Sequence, residues 1–266
     1  VQIDTVERNR AMHKDTQNLE AYDYLLRGLE YNRGRSRADS RKARQMFEKA
    51  IALDPEFALA YVGLGNYYRR QVGYGWTEFP VQALKRAEEL ALTALRLDES
   101  KAEAYALLGH VHVYFRRYDL AISRLDRAIA LNPNDALSYR MRGQILLWSG
   151  RVDEALESLE RSRRFDPNMQ TGLPMFLGIA YYLKGQYRKA IDILEEGTSR
   201  RPDWVGNHIL LAAAYAESGN QDNARRAAQK ILRLQPFFKI ENYGTVFKNE
   251  ADRERIIQGL RKAGLK

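Results

Sequence analysis

The chain has 266 residues, 45% of them hydrophobic and 29% charged, with a formal net charge of +9 and no cysteine. That apolar share can build a folded core and excludes intrinsic disorder, and no apolar run reaches the length of a bilayer crossing. The missing thiols exclude disulfides, thiolate metal sites and cysteine nucleophiles.

Residues 1–20 are polar, with Val1, Ile3, Val6, Met12 and Leu19 as their large apolar residues. They carry no signal peptide and are expected to form a linker or an N-terminal helix, in a cytoplasmic protein. From residue 21 two phrases alternate. The first centres on a small residue, with an aromatic ring four before it and a bulky group three after it. The second reads Ala-x3-large-x2-small-x4-Pro.

In segment 21–55 the phrases are Tyr24, Gly28, Tyr31, then Ala43, Phe47, Ala50, Pro55. In 58–99 they are Tyr61, Gly65, Tyr68, then a degenerate Ala87, Ala91, Ala94, with Glu99 where proline would stand. Segment 102–133 has Tyr105, Gly109, His112, then Ala121, Leu125, Ala128, Pro133. Segment 136–167 has Tyr139, Gly143, Leu146, then Ala155, Leu159, Ser162, Pro167. In 171–202 they are Gly178, Tyr181, then Ala190, Leu194, Gly197, Pro202. The last, 205–236, has His208, Ala212, Tyr215, then Ala224 to Pro236.

Each phrase marks a helix. Spacings of three and four put the bulky groups on one face, around the small residue. The small residue lets two helices approach, and the proline, lacking an N–H, ends the second helix. Gly150, Gly185 and Gly219 are expected at the turns within hairpins, in the left-handed conformation. A two-helix hairpin cannot bury its apolar stripe alone, so hairpins must stack.

Two segments are longer. One insertion lies around Gly34-Arg35-Ser36. The other, Gly73-Tyr74-Gly75-Trp76-Thr77-Glu78-Phe79-Pro80, belongs to ten extra residues between Pro55 and Glu99. It reads as a packed cover, with Trp76 and Phe79 folded onto the neighbouring hairpin; the alternative is a binding lip. After Pro236, Asn249 can cap a last helix with Ile256, Ile257, Leu260 and Ala263 as its stripe and Gly264 as its stop. That helix is expected to cover the exposed core of the sixth repeat, in a C-terminal segment spanning 237–266.

From Glu99 the ends of successive repeats are spaced 34, 34, 35 and 34 residues apart. This period and both phrases resemble the tetratricopeptide repeat (TPR). The resemblance implies an all-α fold, a right-handed superhelical solenoid of about six helix hairpins over 21–236 with a C-terminal capping helix. It also implies a protein or peptide ligand on the concave face, lined by the first helix of each pair. Groove positions of that family fall here on Asn66, Arg69 and Arg70, on Leu107, His110 and Tyr114, on Arg140, Met141, Gln144 and Trp148, and on Met175, Phe176, Ile179 and Tyr182. Arg140 and Trp148 stand out, since Trp and Arg dominate interface energetics. Met141, Phe176 and Tyr182 are equally readable as core, buried by the superhelix or by Phe237-Phe238. The family's carboxylate clamp is not reproduced, because Val62 and Leu107 stand where Lys and Asn would be needed beside Asn66.

Three further features resemble the C-terminal TPR regions of bacterial class III adenylate/guanylate cyclases and winged-helix regulators. They are Ala21-Tyr22-Asp23-Tyr24-Leu25-Leu26-Arg27-Gly28, the Gly-Trp insertion, and Gly259-Leu260-Arg261-Lys262-Ala263-Gly264-Leu265. That resemblance implies a regulatory module whose effector domain lies outside this sequence.

The chain shows no phosphate loop, no nucleophile elbow and no metal-ligand spacing. His110 and His112, two apart on a helix, face different ways. Glu88–Glu89 and Glu195–Glu196 read as solvated faces. No catalytic residue, cofactor or metal is expected. The +9 charge leaves nucleic-acid binding as an alternative function, centred on Arg33 to Arg44, but the basic residues are interspersed with 34 acids and read better as solvated outer faces. Homo-oligomerisation is a third reading.

Overall fold

The computed structural model describes residues 16–34, 36–168 and 172–266. Among them are thirteen α-helices, one 3-10 turn at Ile240–Asn242 and no strand. The expectations for residues 1–15, and for Arg35 in the first insertion, lie outside the described residues.

The chain divides into two compact units, Val1–Pro133 and Asn134–Lys266. Unit 1 holds three hairpins: α1 (Leu19–Arg33) with α2 (Arg37–Leu53), α3 (Ala58–Gly73) with α4 (Pro80–Leu97), and α5 (Ala102–Tyr114) with α6 (Tyr118–Leu131). Unit 2 holds α7 (Ala136–Trp148) with α8 (Val152–Phe165), α9 (Leu173–Leu183) with α10 (Tyr187–Arg200), and α11 (Val205–Glu217) with α12 (Gln221–Leu234). A last helix, α13 (Glu250–Lys262), completes it.

The two helices of a hairpin differ because their surroundings differ. A first helix with neighbours on both sides, such as α11 between α10, α12 and α13, is apolar almost all round and buries every residue from Ile209 to Tyr215. A second helix keeps one face in water, and α12 buries only Ala224, Ala227, Ala228 and Ile231. Within hairpins the small residues sit where expected. A methyl group added at Gly143 would come 2.5 Å from Leu159, and one at Gly178 would come 2.6 Å from Leu194. Phe47 is gripped from two sides, since a side chain at either Gly28 or Gly63 would collide with its ring.

Gly150, Gly185 and Gly219 have φ of +83°, +71° and +80°. Arg116 takes the same left-handed conformation (φ +56°) at the turn of the third hairpin, a position that its sequence does not advertise. The second helices all stop at the same phase of the repeat, proline or not. At the boundary where Glu99 replaces proline, the Asp98 carboxylate accepts from the Ser100 amide at 2.9 Å and hydroxyl at 2.6 Å and pairs with Lys101 at 2.9 Å. Those donors, Ser100 first, hold its pKa down at about 2. The same side-chain turn stands beside the proline at the end of α2, where the Glu56 amide donates to Asp54 Oδ1 at 3.0 Å, so the turn closes α4 without needing the ring.

The covering by α13 reaches further than the sixth repeat. The helix packs on α11, while Arg255 donates to the carbonyl of Leu183 at 2.6 Å and accepts, at its own carbonyl, from the Tyr182 hydroxyl at 2.8 Å. Gly259 lets Tyr182 and Ala213 come close. Just upstream, the Lys248 amide donates to the Trp148 carbonyl at 2.6 Å. The C-terminal segment therefore touches the first helices of all three hairpins of unit 2. Its buried apolar groups are Ile240, Phe247, Ile256, Ile257, Leu260, Ala263 and Leu265, whereas Phe237 is 94% exposed.

Candidate functional site

In unit 1 the first helices α3 and α5 pack together and bring Asn66, Arg69 and Arg70 toward Tyr114. Helical spacing puts Asn66, Arg69 and Gly73 on one side of α3. Gly73 leaves room there, since a methyl group on it would lie 3.1 Å from the Tyr114 hydroxyl. The Arg69 Nε donates to Asn66 Oδ1 at a long 3.4 Å, and Asn66 itself donates to the Val62 carbonyl. Arg70 donates to the Gly34 carbonyl at 2.8 Å and lies over the Tyr74 ring at 5.3 Å. Its Nε is buried without a hydrogen-bond partner.

The electrostatics of this pair are unusual for the molecule. Burial pushes the Arg69 pKa down, Tyr114 opposes that, and the adjacent Arg70 pushes it down further. Tyr74 opposes it more weakly, and among the described residues neither Arg69 nor Arg70 makes an ion pair with a carboxylate. Elsewhere guanidinium groups sit beside acids: Arg27 with Asp23, Arg44 with Glu48, Arg86 with Glu89, Arg151 with Glu154. Arginine stays charged at any ordinary pH. Two adjacent cations partly withdrawn from water without an anion are costly, and an incoming carboxylate would relieve that cost.

The other groove positions separate into two groups. Leu107, Met141, Phe176, Ile179 and Tyr182 are buried, which for Met141, Phe176 and Tyr182 fits the core alternative and for Leu107 and Ile179 differs from an open groove position. Leu107 fills the space above Gly65, and Tyr182 lies beneath α13. His110, Arg140, Gln144, Trp148 and Met175 are half-buried, and Tyr114 is exposed. Arg140 reaches Gln144 at 3.5 Å, and the Trp148 backbone is engaged by the C-terminal segment.

One arrangement escaped the sequence reading. The bulky group three residues after the small one reaches back to a glutamate on the second helix of the preceding hairpin. Tyr181 donates to Glu160 at 2.6 Å, Tyr215 donates to Glu195, and His112 Nδ1 lies 3.7 Å from Glu88. Glu88 and Glu195 are therefore not merely solvated, as had been expected of them; they join hairpins. Burial and the Glu160 contact push Tyr181 up to about 12. Glu160 and Glu195 both stand five residues after the alanine that opens the second phrase, which is the signal that could have revealed them.

His112 is the weak copy of this contact. Its ring is buried with Nδ1 lacking a hydrogen-bond partner, and burial lowers its pKa from 6.5, with Glu88 opposing and Arg117 and Arg124 reinforcing. The unfolded chain takes up this proton near pH 6.5 and the folded chain only at lower pH. Stability is therefore complete above pH 6.5 and falls as pH drops below it. His112→Tyr, which copies Tyr181 and Tyr215, is expected to flatten the stability profile between about pH 6.5 and pH 5. Urea midpoints measured across that range check it, and parallel profiles for the two proteins would refute it.

Among the described residues no group of three His, Asp or Glu could hold a metal ion, and no helix is long and apolar enough to cross a membrane. Residues 106–169 match the family model described as Tetratricopeptide repeat. No curated protein matches the chain by sequence. Among solved structures it is similar to YrrB, described as a TPR protein with an unusual peptide-binding site, at 25% identity over 72% of this chain and 93% of that one (TM-score 0.54). It is also similar to pilF of Pseudomonas aeruginosa, at 22% identity over 83% of this chain and 94% of that one (TM-score 0.66). A third is PilW, a type IV pilus biogenesis factor, at 20% identity over 84% and 96% (TM-score 0.67). The last two establish the shared fold alone.

Proposed function

We propose that this chain is a protein-interaction scaffold that holds an acidic segment of a partner protein on the first-helix face of unit 1. The observation that carries this is the Arg69–Arg70 pair, two adjacent guanidinium groups held by Asn66, the Gly34 carbonyl and the Tyr74 ring, with no ion pair among the described residues. Its surroundings of Asn66 and Tyr114 add polar groups that can orient a bound carboxylate. In unit 2 the corresponding face is occupied by α13, which directs the reading to unit 1. The likeness to YrrB, described as having a peptide-binding site, favours a peptide as ligand. On the resemblance of its ends and insertion to the repeat arrays of bacterial signalling proteins, we read the scaffold as a regulatory one.

The test is capture of partners from a bacterial lysate, followed by titration of a peptide from the captured protein. Arg69→Glu is expected to weaken that peptide at least tenfold, on the scale of a charged contact being reversed, while Arg140→Glu in unit 2 leaves it unchanged. Raising the salt concentration should weaken the wild-type complex. Equal affinity for wild type and Arg69→Glu would remove the site from this face. Capture of nucleic acid, with an affinity falling steeply in salt and indifferent to Arg69, would replace the reading with the basic-surface one.

A further inference from the structure

The insertion before α4 builds a second site, on the other side of α3. Its backbone is tied down: the amides of Tyr74, Gly75 and Trp76 donate to the carbonyls of Arg70, Val72 and Gln71 at 3.0, 3.0 and 2.8 Å. Gly75 makes the reversal with a φ of +63°, and the Thr77 hydroxyl accepts from the Phe79 amide at 3.1 Å. Tyr74 stacks on Trp76 with ring centroids 4.6 Å apart. The loop is thus a fixed wall. Facing it on α3 are Tyr67 and Tyr68, packed edge to face at 5.0 Å.

Between loop and helix lies a cavity of about 440 Å³, lined also by Gln82 and Arg86 of α4. The expected folding onto the neighbouring hairpin does not hold for Phe79. Trp76 is half-buried, while Phe79 is held at the rim with 62% of its surface exposed. A rigid loop that keeps a phenyl ring in water forgoes the stabilisation that burying it would bring, and a ligand laid against the ring would recover it.

The chemistry of the walls selects the ligand. The lining consists of aromatic rings, amides, a hydroxyl and a guanidinium, with no carboxylate. A bound ammonium group would meet no carboxylate in that lining, and the nearby Glu89 is already engaged by Arg86 Nη1 at 2.9 Å. The Trp76 indole N–H, the Gln82 amide and the Arg86 guanidinium are donors, which suits a ligand rich in acceptors. A polyproline II segment has that character: its prolines offer carbonyls and no N–H, its rings fit slots between aromatic side chains, and its conformation is set before binding.

We infer that this cavity binds a proline-rich segment of a partner protein, with proline rings against Tyr68, Trp76 and Phe79 and main-chain carbonyls facing Trp76, Gln82 and Arg86. The inference is independent of the acidic site at Arg69. Calorimetric titration with a neutral peptide of repeated Pro-Pro-Gln triplets tests it, against the same peptide with glycine at each proline. The proline peptide is expected to bind and the glycine peptide to give no heat. Phe79→Ala, which removes an exposed ring and leaves the core intact, and Trp76→Ala should each weaken binding about tenfold or more. Arg69→Glu should leave it unchanged. Absence of binding by the proline peptide, equal binding by the glycine peptide, or undiminished affinity in Phe79→Ala would each overturn the inference.

Discussion

Leu260→Ala is expected to destabilise unit 2 by about 3 kcal/mol. Leu260, Ile256 and Ile257 on α13 are all buried, and each is worth about 1.5–3 kcal/mol when taken fully out of water. Their sum, roughly 4.5–9 kcal/mol before the cost of ordering the helix, is comparable to the whole stability of a small domain. A helix held that firmly is core and does not lift away to admit a ligand. Denaturation followed by the fluorescence of Trp148 and Trp204, both in unit 2, would report the loss. A change below about 1 kcal/mol would instead mark α13 as a removable strap and would reopen the face around Tyr182 as a binding surface.

Gly178→Val should cost about 3 kcal/mol or more, the upper part of the range for overpacking. Even the first carbon of the new side chain would lie 2.6–2.8 Å from three atoms of Leu194, and α9 could accommodate it only by moving away from α10. Gly219→Ala makes the opposite comparison. Nothing lies within 4 Å of a methyl group there, but the backbone is left-handed at φ +80°, so the cost is conformational and about 1 kcal/mol. Thermal denaturation of the two variants ranks the effects. If Gly219→Ala proved the more damaging, the small residues of the first helices would not be the contacts that set hairpin spacing.

The hairpins were legible because their determinants are local and periodic. Ala-x3-large-x2-small-x4-Pro and the small residue between two bulky ones recur often enough to be read without knowing what touches what. What the sequence hid depends on distance in the chain. Tyr182 and Tyr181 are adjacent, one beneath α13 and the other reaching Glu160; periodicity places them on different sides of α9 but cannot say what covers either. Arg69 and Arg70 were visible as a basic pair, yet that neither makes an ion pair among the described residues is a three-dimensional fact. Phe79 was expected to pack because it is apolar, and the Thr77–Phe79 turn that holds it outward leaves only a weak trace in composition. The division after Pro133 had no signal either, since that proline is spaced like its counterparts.

The position of α13 also bears on how the protein is made. Tyr182 is covered by residues near Gly259, 77 positions further along the chain. At about 5–20 residues per second of synthesis, the apolar face of α9 around Tyr182 waits roughly 4–15 seconds for the segment that covers it. The first two hairpins of unit 1 have no such delay, because each packs on the next hairpin to emerge. A nascent chain of this protein would therefore carry its most aggregation-prone surface late in translation, and that interval is when a chaperone acting on it would have its work.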